Sequence, residues 1–187
     1  MGAIRLVQAP EPYRPEDKLI YLAGGVSGPN WQHDIFVKLA AKLPEGWVVL
    51  NPRRDSYASM QSEREKCDQI AWEYDALLAA DAIAFWLPSY TDCPITLFEL
   101  GRWTSCERPC FIGIHPKYPK RFDLETQLRL TNRSQVNPIP VVDSLGALVE
   151  LVLQFAKSVK EVPVNVVPEG SLGVGSNANG NLGKPIL

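Results

Sequence analysis

The stretch that most constrains the fold is a run of six consecutive apolar residues at positions 82–87. Side chains of a strand alternate between the two faces of a sheet, so a strand without polar residues must be covered on both faces. Three more short apolar runs occur at residues 19–23, 47–50 and 110–114, and each is followed by Gly, Asn or His. This pattern predicts buried strands of one parallel sheet.

Stretches with helical spacing of apolar residues separate these runs. One begins near Trp31 and places Phe36, Leu39 and Leu43 on one face. Further helices are expected up to about residue 80, after Pro94, at 121–131 and at 145–157. Alternation of strands and helices favours a parallel sheet with helices on both sides. With a fifth strand at 139–142, we predict a three-layer α/β sandwich around a five-stranded parallel sheet.

The two ends of the chain differ from this core in composition. Residues 1–17 contain Pro10, Pro12 and Pro15 and are predicted to form an extended N-terminal lead-in. The domain is predicted to span residues 18–160. Residues 161–187 are rich in Gly and Asn and have no periodicity, which indicates a flexible C-terminal tail. The alternative for this tail is an arm that packs on a neighbouring subunit.

Composition argues against several classes of protein. A formal net charge of −2, without a long basic cluster, argues against binding to polymeric nucleic acid. The four cysteines form no CxxC pair and the two histidines are not clustered with acidic residues, so neither a zinc site nor a disulfide framework is indicated. We expect no metal and no cofactor. The N-terminus lacks the apolar run of a signal peptide, and no stretch has membrane-spanning length, so we expect a cytoplasmic protein without a membrane partner.

Two glutamates lie among apolar neighbours on adjacent predicted helices. Glu99 lies four residues from both Ile95 and Trp103, and Glu73 has apolar neighbours at i−3 and i+4. Burying a carboxylate costs several kcal/mol unless it is paired or used. The simpler interpretations are an ion pair between Glu99 and Arg102 and a partly exposed position for Glu73. Two such carboxylates beside one strand nevertheless form the pair that glycosidic-bond chemistry uses.

Residues that end or follow the predicted strands are the candidates for ligand binding, because ligands of parallel sheets bind beyond the carboxyl ends of the strands. Glycines allow close backbone approach, a tryptophan can stack on a base, and an arginine can hold a carboxylate, hydroxyl or phosphate. A tight turn, a packing residue at a helix start and a surface arginine are the simpler alternatives. The predicted substrate-binding residues are Gly24, Gly25, Trp31, Asn51, Arg53, Trp86 and Asp92.

Ordered motifs at residues 20–24, 31, 51–54, 72–86 and 93–101 together carry a family resemblance. They resemble the nucleoside 2-deoxyribosyltransferase-like family over roughly residues 18–115. The resemblance implies a flavodoxin-like, Rossmann-like domain. It also implies an enzyme that cleaves the N-glycosidic bond of a nucleoside with retention of configuration.

The same resemblance implies roles for single residues. Glu99 would be the nucleophile, Tyr21 would hydrogen-bond to it, and Glu73 would hold or protonate the base. Many members have an aspartate in place of Glu73. Their base-contacting aspartate lies six residues before the nucleophile, where this chain has Cys93, with Asp92 one residue earlier. The family also implies a homo-oligomer in which a neighbouring subunit completes each site.

The predicted function is therefore transfer of a (deoxy)ribosyl group between nucleobases, through a covalent glycosyl-enzyme on Glu99. The partners would be a nucleoside or nucleotide and a free nucleobase, in nucleotide metabolism. Alternatives are an N-glycoside hydrolase, a non-catalytic nucleotide-binding module and a flavin-binding protein of similar topology. Ribose or 2-deoxyribose, purine or pyrimidine, and nucleoside or nucleotide stay open at this point.

Overall fold

A computed structural model describes residues 4–14, 16–54, 62–106 and 108–159, and within them the chain forms six strands and five α-helices. The strands are β1 Arg5–Gln8, β2 Lys18–Gly24, β3 Trp47–Asn51, β4 Ala82–Leu87, β5 Cys110–Ile114 and β6 Val141–Val142. The helices are α1 Trp31–Ala40, α2 Glu63–Ala79, α3 Pro94–Thr104, α4 Arg121–Thr131 and α5 Leu145–Ser158. A short 3-10 turn, Asn132–Ser134, follows α4.

The strands form one sheet in the order β1-β3-β2-β4-β5-β6, and every neighbouring pair is parallel. With β1 set aside, this is the strand order of a flavodoxin-like sheet, in which the strand order reverses beside the first strand. The predicted three-layer α/β sandwich with a parallel sheet is confirmed.

The predicted number of strands was wrong, because the sheet has six strands rather than five. The extra strand, β1, lies within the predicted lead-in and pairs with β3 at the sheet edge. Only Val7 of this strand is buried, so no apolar run marked it in the sequence. At the other edge β6 covers two residues of the four predicted. The predicted tail, residues 161–187, lies outside the described residues, and the limits of the predicted domain stay a prediction.

The alternation of side chains along the strands produces two separate cores. On one face, Tyr21 of β2 and Phe85 of β4 pack with residues of α2, α3 and α4. On the opposite face, Leu22 of β2 and Trp86 of β4 pack with residues of α1 and α5. The predicted burial of the central strand on both faces is thus confirmed, since every residue of β4 is buried. Neighbouring residues of one strand therefore pack against helices on opposite faces of the sheet.

The helices begin where the sequence supplies suitable capping groups. At the start of α2, Ser62 and Glu65 form a capping box, in which each side chain bonds to the backbone N–H of the other residue. Pro94 occupies the first turn of α3, where a missing N–H costs nothing. No helix among the described residues is both long and apolar enough to cross a membrane.

Candidate active site

A cavity with a volume of about 490 Å³ lies at the carboxyl ends of β2 and β4. The strand order reverses at this point, since β3 lies on one side of β2 and β4 lies on the other. Crevices at such a switch point are where parallel α/β sheets bind ligands. The walls come from the end of β2 and the loop after it, from α2, and from the loop after β4 with the first turns of α3.

The three residues predicted to be catalytic all line this cavity. Tyr21 enters from β2, Glu73 from α2 and Glu99 from α3. They meet because Tyr21 points to the face of the sheet that α2 and α3 cover. The spacing of residues on the two helices then turns both carboxylates toward the strand between them.

Glu99 is a half-buried carboxylate in the second turn of α3. Burial, and then the negative charge of Glu73, raise the pKa of Glu99 to about 7. The alternative ion pair with Arg102 is not formed within the described residues. The Arg102 guanidinium instead lies over the rings of Tyr74 and Trp103, 4.7 and 5.0 Å from their centroids, and donates to the Tyr74 hydroxyl. Among the residues that the structure describes, no cation forms an ion pair with Glu99 where it lines the cavity.

Glu73 is also half-buried, on the helix across the cavity. Burial raises the pKa of its carboxyl, and a hydrogen bond from the side chain of Gln69 works in the opposite direction. In that bond the Gln69 Nε2 donates to Glu73 Oε1 over 2.7 Å. Two carboxylates that both resist ionisation near each other favour a state in which one is charged and the other carries a proton.

Tyr21 is fully buried on β2. Its burial and the charges of Glu73 and Glu99 raise the pKa of the phenol well above its ordinary value, so the hydroxyl remains a neutral donor. Within the described residues, no hydrogen bond joins this hydroxyl to Glu99. The bond implied by the family resemblance is therefore absent from this structure, and the raised pKa of Glu99 agrees with an unsupported carboxylate.

The predicted glycines also line the cavity, and each permits a close approach that a side chain would block. A Cβ on Gly24 would lie 2.5 Å from the Trp31 ring and 2.5 Å from the Trp86 carbonyl oxygen. A Cβ on Gly25 would lie 2.6 Å from the Thr91 methyl group. The two glycines thus allow the strand end to pack against its neighbours while its backbone borders the cavity.

The two predicted tryptophans do not line the cavity, and their assignment as substrate-binding residues stays a prediction. Trp31 begins α1, is 2% exposed, and packs in the core on the other face of the sheet. Its ring nitrogen donates to the Gly25 carbonyl oxygen over 2.9 Å, so it supports the loop from behind. Trp86 is one residue out of phase with Phe85 on β4 and belongs to the same rear core. Both rings are committed to protein packing.

Asn51 and Arg53, predicted to bind substrate, stabilise loops. The Asn51 side chain is buried and its Oδ1 accepts from the backbone N–H of Arg53. The Arg53 guanidinium donates to the carbonyl oxygens of Pro29 and Gly28, over 3.0 and 2.9 Å. These bonds tie the end of β3 to the loop after β2. Neither residue lines the cavity, and their role in substrate binding stays a prediction.

Asp92 does not line the cavity, although the residue that follows it does. Its side chain is exposed, and its backbone oxygen accepts from the Tyr118 hydroxyl over 2.8 Å. The next residue, Cys93, is buried and lines the cavity. Cys93 has φ +49°, in the left-handed region, where it turns the chain into α3. Burial raises the pKa of its thiol, so a neutral S–H faces the cavity at neutral pH.

Several cavity residues were not predicted from the sequence, and most of them are apolar. Ile70 and Tyr74 on α2 and Ile95 and Phe98 on α3 form an apolar rim around the cavity mouth. Their exposed fractions are 63%, 44%, 67% and 71%. The signal for two of them was present in the sequence, since Ile70 lies three residues before Glu73 and Ile95 lies four residues before Glu99. Arg102 supplies a cation at the same rim.

The residues that the structure describes contain no cluster of three or more His, Cys, Asp or Glu side chains suited to holding a metal ion. The cavity presents the carboxyl groups of Glu73 and Glu99, the phenol of Tyr21 and the thiol of Cys93.

Comparisons with known proteins agree with this architecture. One similar solved structure is the crystal structure of a conserved protein from Enterococcus faecalis V583, with 16% sequence identity and a TM-score of 0.50. The match covers 74% of this chain and 99% of that one, and it shows a shared fold. No curated protein matches the sequence. The family described as nucleoside 2-deoxyribosyltransferase like matches residues 17–118, more than half of the chain. The chain belongs to the nucleoside 2-deoxyribosyltransferase-like family.

Proposed function

We propose that the protein cleaves the N-glycosidic bond of a nucleoside and transfers the (deoxy)ribosyl group to a second nucleobase. The observation that carries this proposal is the meeting of Glu73 and Glu99, two half-buried carboxylates, in one cavity beside Tyr21. A volume of about 490 Å³ is in the range of small-molecule sites. Family membership supports the same class of substrate.

In the first step, an ionised Glu99 oxygen attacks the anomeric carbon of the sugar. The bond from that carbon to the base nitrogen breaks, and its electron pair leaves with the base. The protonated Glu73 carboxyl gives its proton to the departing base, which prevents a negative charge from building up on it. The negative charge of Glu99 also stabilises the oxocarbenium-like transition state.

In the second step, a new base attacks the same carbon and displaces Glu99. Glu73, now ionised, accepts the proton that the incoming base releases. Two displacements at one carbon give net retention of configuration. If water attacks instead, the product is a free sugar and the protein acts as a hydrolase, which is the second candidate.

The raised pKa values mean that the pair holds a proton more readily than two ordinary carboxyl groups, and Glu99, with a pKa of about 7, competes with Glu73 for it. The proposed reaction starts from the form in which Glu73 holds the proton. A nucleophile must be ionised and a proton donor must be protonated, although both are carboxyl groups. Repulsion between neighbouring carboxylates makes the doubly ionised state unfavourable, so the pair retains a proton toward neutral pH. Tyr21 remains neutral beside them, so it adds no further negative charge to the cavity.

We also propose that the protein is a homo-oligomer. The apolar rim of Ile70, Tyr74, Ile95 and Phe98 leaves large side chains in water at the cavity mouth. Exposed apolar clusters of this kind are typical of contact surfaces. A second copy of the chain on the rim would cover these side chains and close the site.

Incubation with a deoxynucleoside and a different free base tests the reaction. We expect the exchanged nucleoside to appear in chromatography with the wild type. Glu99→Gln should reduce the rate by roughly a thousandfold or more, and Glu73→Gln by roughly a hundredfold or more. Mass spectrometry after exposure to a 2-fluoro-arabinosyl nucleoside should show an adduct on Glu99.

The outcomes separate the candidates. Release of free sugar without exchange identifies a hydrolase, and tight nucleoside binding without turnover identifies a binding module. Full activity of Glu99→Gln would exclude the proposed nucleophile. A Gln154→Leu variant, on the exposed side of α5, is the control for handling and folding.

A further inference from the structure

Gln69 is a buried amide one helical turn before Glu73 on α2, with an exposed fraction of 1%. Its Nε2 donates to Glu73 Oε1 over 2.7 Å and to the Pro52 carbonyl oxygen over 2.9 Å. Its oxygen accepts from Arg54 Nη1 over 3.3 Å. The same side chain therefore joins the end of β3, the residues after it, and the carboxylate that faces the cavity.

The partners fix the orientation of this amide. A backbone carbonyl only accepts hydrogen bonds, and a guanidinium only donates them. The nitrogen of Gln69 must therefore face Pro52, and the oxygen must face Arg54. Rotating the amide by 180° would place its oxygen against the Pro52 carbonyl oxygen and its N–H groups against the Arg54 guanidinium. The amide therefore keeps its orientation, and its N–H stays directed at Glu73.

We infer that Gln69 is a positioning residue, which holds Glu73 Oε1 in place and leaves Glu73 Oε2 to exchange a proton with the leaving base. This inference rests on the proposed function of the site. Gln69 does not line the cavity, so it acts through Glu73 and has no contact with the substrate. Nothing in the motifs of the sequence marked it.

The bond also affects how the two carboxylates share a proton. An N–H donated to a carboxylate stabilises its ionised form. The other titratable or charged groups that line the same cavity are Tyr21 of β2, Tyr74 of α2, Cys93 before α3, and Glu99 and Arg102 of α3. Among these, Glu99 competes with Glu73 for the proton, because each charge disfavours the other. Loss of the Gln69 bond should therefore shift the proton toward Glu73.

A double-mutant cycle tests the positioning role. Gln69→Met has nearly the same shape and lacks the N–H, and we expect it to lower kcat/KM about 10- to 100-fold. In a Glu73→Gln background, measured in single turnovers, the same substitution should cost less than about twofold. Equal losses in both backgrounds would overturn the inference, because they would show a general structural effect. Gln154→Leu serves as the unaffected control.

Carbon-13 NMR titration of the glutamate carboxyl groups gives a readout that does not need activity. We expect the titration midpoint of Glu73 to rise in Gln69→Met, and an unchanged midpoint overturns the inference. Gln69→Glu is the second variant, for use if Gln69→Met does not fold. It keeps the shape of the side chain but places a second acceptor beside Glu73, so it should also raise the titration midpoint of Glu73. Absence of exchange and hydrolysis by the wild type would refute the proposed function, while this titration would still decide the role of Gln69.

Discussion

At the scale of single residues, the site is defined by carboxyl groups whose ionisation the fold disfavours. Glu99 has no cation to neutralise it among the described residues, and Glu73 adds a negative charge nearby. The proposed reaction needs Glu99 in its ionised form, and the fold makes this form energetically unfavourable. The cost has two measurable consequences, one for activity and one for stability.

The activity should depend on pH through Glu99. Because attack requires ionised Glu99, whose pKa is about 7, and departure of the base requires a proton on Glu73, kcat/KM should rise from pH 5 to near pH 7 and fall at higher pH, where the pair loses its last proton. Removing the charge of Glu73 removes one cause of the raised pKa. The rising limb of Glu73→Gln should therefore lie at lower pH than that of the wild type, although its maximum is lower. A limb at the same pH in both proteins would contradict the coupling between the two carboxylates.

The stability of the fold should depend on the same group in the opposite sense, because folding favours the protonated form of Glu99. The folded state raises the pKa of Glu99 from 4.5 to about 7, so it binds more protons than the unfolded chain between these values. Its contribution is fully present below about pH 4.5 and is lost as the pH rises through about 7. Glu99→Gln should therefore be more stable than the wild type at pH 8, by roughly 1–3 kcal/mol. Urea denaturation at pH 8 and pH 4.5 checks this, and the difference should shrink at the lower pH.

At the scale of elements, the side-chain phase of each strand decides which residues reach the substrate. Apolar runs were sufficient to predict β4 and β5 with their limits and the positions of β2 and β3. They could not reveal phase, because a strand buried on both faces has no polar side to mark its orientation. Trp86 was therefore assigned to the site although it lies in the rear core. The two glutamates were predicted from their apolar helical neighbours, Tyr21 was predicted from the family motifs, and the structure places all three at one cavity.

Loop contacts were beyond the reach of the sequence for a different reason. Arg53 and Asn51 have side chains suited to binding a polar ligand, but here they bond to nearby backbone groups. Such partners depend on how the chain folds back on itself. It likewise depends on one left-handed residue before Pro94 that Cys93, and not Asp92, lines the cavity.

Two glycines give a matched test of packing at this scale. Gly24→Ala would place a Cβ 2.5 Å from a backbone oxygen, which cannot move aside easily, so we expect a loss of about 1–3 kcal/mol in unfolding free energy. Gly101→Ala meets nothing within 4 Å and lies in α3, so it should gain about 0.5–1 kcal/mol. Thermal or chemical denaturation of both variants provides the comparison. Equal effects would show that the contacts at Gly24 do not limit the strand end.

At the scale of the whole molecule, the apolar rim and the proposed oligomer belong together. The rim gathers large exposed side chains from two neighbouring helices, whereas the exposed Phe122 of α4 lies outside this cluster. If two copies meet there, the association buries the mouth of each site. Activity would then depend on protein concentration as well as on pH.

Light scattering coupled to size-exclusion chromatography tests the oligomer. We expect the wild type to have a multiple of the chain mass, and Phe98→Asp to shift toward the mass of one chain, because a buried charge would be unpaired in the contact. Phe122→Asp introduces the same charge at another exposed phenylalanine and should leave the mass unchanged. A wild type that remains a single chain at micromolar concentration would rule out the contact.

The division of the interior into two cores has a consequence for how relatives of this protein diverge. Tyr21, Glu73 and Glu99 all lie on the side of α2 and α3, whereas α1 and α5 pack against the back of the sheet. Substitutions behind the sheet that conserve volume leave the reacting groups untouched. Apart from Trp31, whose ring nitrogen supports the loop after β2, the rear half can therefore change its side chains without moving the groups proposed to react.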